Sequence, residues 1–135
     1  MSDLRHTALR WLIQGFPGSG YREWAQSALM GTTSPPPRRI TVRGVEIDAA
    51  DPEIHLSHYA RARSAPQQRA AVALEALDFG RAHLAYKLAE ALFKGSERDI
   101  RLTIAAILNA LGSLSHYVAE LVEEGGDRAR EEVLV

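Results

Sequence analysis

A mainly α fold, built on a long antiparallel helical hairpin packed with short N-terminal helices, is what the sequence predicts, with a minor β strand or hairpin around residues 39–48. Three observations carry this expectation. Ile100, Ile104, Ile107, Leu111, Leu114, Val118 and Leu121 recur at alternating spacings of four and three, which places them on one helical stripe. Residues 65–93 carry Ala73, Leu77, Leu84, Leu88 and Ala91 on one face with Val72, Ala76, Phe79 and Tyr86 beside them, an apolar sector too broad for a helix surrounded by water. Between the two, Lys94-Gly95 supplies a stop and Ser96-Glu97-Arg98-Asp99 supplies a capping box with acids in the first turn.

Each arm has nearly thirty residues, so at about 1.5 Å per residue each reaches about 40 Å. The link is too short for anything but an antiparallel return. With the turn centred near Gly95, residues whose numbers sum to about 190 stand opposite each other, which sets His83 at the level of Ile107 and His116 at that of Leu74 and Glu75. Two such arms cannot cover one another, so front helices, a second chain or both must cover the remaining apolar surface. A helical dimer is the expectation.

The front helices read as follows. Leu4, Ala8, Leu9, Trp11 and Leu12 predict a helix over 4–14 with Asp3 at its cap, ended by the glycine-rich run from Gly15 to Gly20. Ser19 is placed to cap a second helix of about 20–30, whose face carries Tyr21, Trp24, Ala25, Ala28 and Leu29 and which Gly31 ends. Pro35-Pro36-Pro37 makes a stiff extended connector without backbone donors. Ile40 and Val42, then Val45 and Ile47, alternate with polar residues on either side of Gly44, as expected of one strand with a glycine bulge or a very small hairpin. Asp51-Pro52 starts a further helix toward Arg63, and Ser64 with Gln67 forms a capping box for the first long arm. Gly125-Gly126 closes the second arm. The chain thus divides into front helices and connector (1–37), hairpin (65–125) and charged tail (127–135), all in one domain of 135 residues.

Composition narrows function more by exclusion than by assignment. Hydrophobic residues at 46% are enough for a folded core. The absence of cysteine removes disulfides, thiolate nucleophiles and cysteine-held metal clusters. No secretory signal and no apolar run of about 18 residues is present, so no membrane association and a cytoplasmic location are expected. Residues 1–69 hold nine Arg against six acids, and residues 70–135 seven basic residues against eleven acids, so any anionic partner belongs to the front half.

No catalytic set is evident, and no metal or other cofactor is expected. The glycine run lacks the Lys and hydroxyl of a phosphate loop, since Tyr21 and Arg22 stand there instead. No Glu-x-x-His occurs, which disfavours a carboxylate-bridged metal pair, and the Ser113, Ser115 and His116 group lies inside a helical pattern without a strained elbow. His55 and His58 share a helix face and form a polar-site candidate, without a second converging pair to complete a metal site.

Two surfaces are candidates for binding. Arg38, Arg39 and Arg43 suit phosphate or carboxylate partners, nucleic acid included. Trp11, Phe16, Tyr21 and Trp24 serve either as the lid of the core or as anchors for another protein. The leading expectation is a non-catalytic protein–protein interaction, scaffold or adaptor subunit that forms a homo-oligomer. The alternatives are a small nucleic-acid-binding regulator using the arginines, and a small enzyme with a cleft near His55 and His58.

Overall fold

A computed structural model describes residues 3–15, 19–32, 34–53 and 66–112. Among them are four α-helices and one two-stranded antiparallel sheet. The helices are α1 (Asp3–Ile13), α2 (Arg22–Leu29), α3 (Arg69–Lys94) and α4 (97–112), and the strands are β1 (Arg39–Val42) and β2 (Val45–Asp48). The mainly helical hairpin architecture expected from the sequence is the one observed.

The hairpin turns as the sequence predicts. Ser96 Oγ accepts from the Asp99 amide at 3.3 Å, while an Asp99 carboxylate oxygen accepts from the Ser96 amide at 3.1 Å. This reciprocal box satisfies two otherwise orphaned donors at the start of α4. Gly95 has an extended rather than left-handed backbone. Its role is steric: a Cβ there would stand 2.6 Å from the Ala91 carbonyl oxygen and 2.9 Å from Asp99 Cβ.

Several predicted boundaries move. Asp3 is the first residue of α1 rather than its cap, and Ser19–Tyr21 forms a 3₁₀ turn that delays the α-helical start of α2 to Arg22. A second 3₁₀ turn, Pro66–Gln68, precedes α3, whose N-cap is Gln68 with no side-chain cap bond, in place of the expected start near residue 65. Tight 3₁₀ turns commonly take up the free amides at helix ends, which makes a side-chain cap dispensable. Ser64 of the expected box lies outside the described residues, as do 54–65 of the intervening helix and everything beyond Gly112. At Asp51 the carboxylate accepts from the Glu53 amide at 2.9 Å, the bond expected of a helix-starting aspartate.

Gly31 closes α2 with φ +93°, the Gly31 amide bonding to Ala28 O and the Thr32 amide to Ser27 O. That pair of bonds is the Schellman arrangement, in which glycine takes the left-handed position at little cost. Strands β1 and β2 form a hairpin through Arg43-Gly44, with φ +52° and +76° and Val42 facing Val45. Two left-handed residues match the strand twist, so the open choice between bulge and hairpin resolves to the hairpin.

One apolar core joins all these pieces. Leu9 and Leu12 of α1, Tyr21, Ala25 of α2, Ile40 and Ile47 of the sheet, Phe79, Leu88 and Leu92 of α3, and Ile100 and Ile107 of α4 belong to it. Helix α3 touches α1, the Ser19–Tyr21 turn and β1, and shares core residues with α4. The front elements therefore cover the hairpin, as the breadth of its apolar sector requires. On α4 the described part of the predicted stripe faces inward, with Ile100 and Ile107 fully buried and Ile104 and Leu111 partly so, while Leu114, Val118 and Leu121 lie outside the described residues.

Candidate functional site

Of the four predicted aromatic anchors, two hold the proline connector. Tyr21 is fully buried, donates its hydroxyl to Pro37 O at 2.7 Å, and packs its ring 6.1 Å from that of Tyr86. Burial first, and then the Tyr86 phenol and the Asp48 carboxylate, push the Tyr21 hydroxyl well above its ordinary pKa. Trp24 donates its indole N–H to Ser34 O at 2.8 Å. A proline run offers carbonyls and no amides, so two aromatic donors are the partners it can accept from. Residues 34–37 thus form a strap in which Pro36 is buried and its neighbours are exposed. Trp11 instead lines a surface groove, and Phe16 lies outside the described residues.

The three predicted anion-binding arginines each stand beside a carboxylate. Arg38 donates to Asp48 at 2.9 Å, Arg39 to Glu46 at 3.2 Å across the hairpin, and Arg43 to Asp78 on α3. The Arg38 guanidinium, helped by the Ala50 amide, holds the Asp48 carboxyl below the usual carboxylate range. Because three acids answer three arginines, these arginines do not present an uncompensated cluster of positive charge. All three arginines remain solvent-exposed, in the setting where such pairs contribute little stability.

His55 and His58 lie outside the described residues, so the polar-site candidate is not located. Among the described residues no group of three or more His, Asp or Glu is arranged to hold a metal ion, and no helix is long and apolar enough to cross a membrane. His83 sits on buried α3 with its Nδ1 2.8 Å from Ala49 O. A carbonyl can only accept, so Nδ1 carries the hydrogen, and in the neutral ring Nε2 is left as an acceptor. His116, its possible counterpart in the sequence, lies outside the described residues.

Two grooves flank α4. On one side Leu4, Ala8, Trp11, Ile104 and Leu108, with Thr7, Arg10 and Gln14, line about 470 Å³ between α1 and α4. On the other, His83, Leu84, Lys87, Leu102, Thr103, Ala106, Ile107 and Ala110 line about 360 Å³ between α3 and α4. The lining draws on stretches that the predicted pairing sets opposite each other, His83 and Lys87 on α3 and Thr103 and Ile107 on α4. Between the grooves, α4 leaves Leu102 and Leu108 exposed by 59% and 54%, with exposed Ala105, Asn109 and Gly112 between them on the helix surface. The sequence reading did not single out this outer surface. The available signal was the number of apolar residues of α4 off the four-three stripe, Leu102, Ala105, Ala106 and Leu108 among them.

The chain matches no protein-family model, no curated protein and no solved structure. Its function is therefore read from the chemistry of its own surfaces.

Proposed function

We propose that this protein is a non-catalytic interaction subunit that works as a homodimer, docking through the groove between α1 and α4 onto a second copy of itself. The observation that carries the reading is Leu108, a large apolar side chain 54% exposed on the wall of an apolar groove that also contains Trp11. A two-fold interface uses one patch on both partners, so that patch must carry both a projection and a recess. Here the projection, Leu108, and the recess lined by Leu4, Ala8, Trp11 and Ile104 belong to the same patch. Thr7, Arg10 and Gln14 supply the polar rim found around such contacts. Trp11, of a residue type enriched among the energetically dominant contacts of interfaces, lines that recess.

The nucleic-acid alternative has weaker support, since Arg38, Arg39 and Arg43 are each matched by an acid.

Sedimentation equilibrium of the full chain, from low to high micromolar concentration, tests the proposal. Wild type is expected to have dimer mass and Leu108→Glu monomer mass with an unchanged helical signal. A monomeric wild type throughout that range, or a Leu108→Glu variant that stays dimeric, overturns it.

A further inference from the structure

We infer that Tyr21 and Trp24 form a recognition site for polyproline segments, which this chain keeps occupied with its own strap, residues 34–37, and which takes a proline-rich peptide of another protein when the strap lifts. The inference does not rest on the dimer proposal, because neither aromatic lines the groove between α1 and α4.

The sequence of the strap dictates a polyproline helix. Each proline fixes its own φ, and Ser34, Pro35 and Pro36 each precede a proline, which keeps them out of the α region. Such a helix has three residues per turn and no internal hydrogen bonds, so Ser34 and Pro37 stand one turn apart on the same edge. Those are the two residues whose carbonyls are bonded: Trp24 Nε1 donates to Ser34 O at 2.8 Å and the Tyr21 hydroxyl to Pro37 O at 2.7 Å. Tyr21 and Trp24 are also three residues apart, close to one turn of their own helical segment. The period of the aromatic pair thus matches the period of the strap, with the two running antiparallel. Pro36, between the two bonded positions, is buried. Aromatic-lined grooves are the general means of recognising polyproline ligands, which bring carbonyls and no amides.

The strap is lightly held for an internal segment. Among the described residues no backbone-to-backbone hydrogen bond joins 34–37 to the rest of the chain; the flanking ones run from the Thr32 amide to Ser27 O and from the Ala49 amide to Arg38 O. The Trp24 bond is exposed and the Tyr21 bond half-buried, so the strap opens from its Ser34 end. Tyr21 belongs to the core and packs against Tyr86 of α3, so groups other than the strap position it. A ligand tethered by a short connector acts at an effective concentration in the millimolar range, and an outside peptide must compete with it.

The test is a titration of the ¹⁵N-labelled full chain with the peptide acetyl-Ser-Pro-Pro-Pro-Arg-Arg-amide, following the indole N–H signals of Trp24 and Trp11. In a strap variant carrying Pro35→Gly, Pro36→Gly and Pro37→Gly, the Trp24 signal is expected to shift saturably while that of Trp11 stays in place. Wild type is expected to need a peptide concentration about tenfold higher for the same shift, because its own strap competes. A peptide with glycine at its three proline positions is expected to give no shift. Adding Trp24→Phe to the strap variant, read at the Ala25 amide, is expected to weaken binding about fivefold for the loss of one hydrogen bond. Adding Leu108→Glu instead is expected to leave the affinity unchanged, which separates this site from the dimer contact. A folded strap variant without a saturable Trp24 shift, an equal response to the glycine peptide, or wild type binding as tightly as the strap variant would each overturn the inference. Should the strap variant fail to fold, wild type with millimolar peptide decides: a saturable Trp24 shift sustains the inference and a flat titration overturns it.

Discussion

Helices α3 and α4 are the two arms of one hairpin, and both are rich in alanine and leucine, yet they are buried very differently. Helix α3 places Phe79, Ala82, Ala85, Leu88, Ala89 and Leu92 in the core, beneath elements from the front of the chain. Helix α4 buries Ile100 and Ile107 fully and leaves Leu102 and Leu108 in water. Similar composition therefore has different consequences according to position: among the described residues, the first arm is covered by the front elements, and the second keeps two large apolar side chains exposed. The proposed dimer contact draws on that less covered arm.

The largest test of this contrast is a matched pair of truncations. Leu88→Ala on α3 removes a fully buried side chain and is expected to cost about 3 kcal/mol, whereas Leu108→Ala on α4 is expected to change monomer stability by less than about 0.5 kcal/mol. Urea unfolding of both variants in a background held monomeric measures the difference. Comparable losses would mean that α4 is as much a core element as α3.

Gly95→Ala should come next, at about 2 kcal/mol, because the added Cβ must push against the Ala91 carbonyl and Asp99 where the arms meet. Thermal unfolding reads this directly, and an unchanged midpoint would mean that the turn has room the structure does not show. Asp99→Ala, which removes one half of the capping box, is expected to cost about 1 kcal/mol. Its effect should appear as faster amide hydrogen exchange in the first turn of α4, with α3 unaffected.

The smallest expected effect is a pH dependence at the hairpin. Asp48 has its carboxyl pKa lowered chiefly by the Arg38 hydrogen bond, so the stability it contributes is present above the ordinary carboxylate value and fades as pH falls through the lowered one. Asp48→Asn should flatten that acid limb slightly in urea unfolding measured across pH. An effect in the opposite direction, with the variant gaining acid sensitivity, would contradict the ion pair. The exposure of both partners keeps the change small.

The hairpin, its turn and the inward stripe of α4 were legible in the sequence because helical spacing, a glycine and a capping box all report on nearest neighbours along the chain. The β-hairpin was legible as one of two options, and its choice depended on the left-handed pair Arg43-Gly44. The bonds of the strap were not legible, since Tyr21 to Pro37 and Trp24 to Ser34 join residues 16 and 10 positions apart through backbone carbonyls that carry no sequence signal. Nor was the compensation of Arg43 by Asp78, 35 residues away. The grooves were hidden for a related reason: periodicity says which residues face inward together, while a recess depends on how closely two helices approach.

The groove between α1 and α4, with Leu108 on its wall, is proposed to meet its counterpart on a second copy. The chain has no cysteine, so Asn109→Cys provides a single attachment point for a spin label beside Leu108. Pulsed dipolar spectroscopy on the labelled full chain is predicted to give one label-to-label distance within about 25 Å, the separation set by two packed helices and their label linkers, and to lose it when Leu108→Glu is added. Background decay alone, at a concentration where the protein has dimer mass, would place the interface elsewhere and contradict the account.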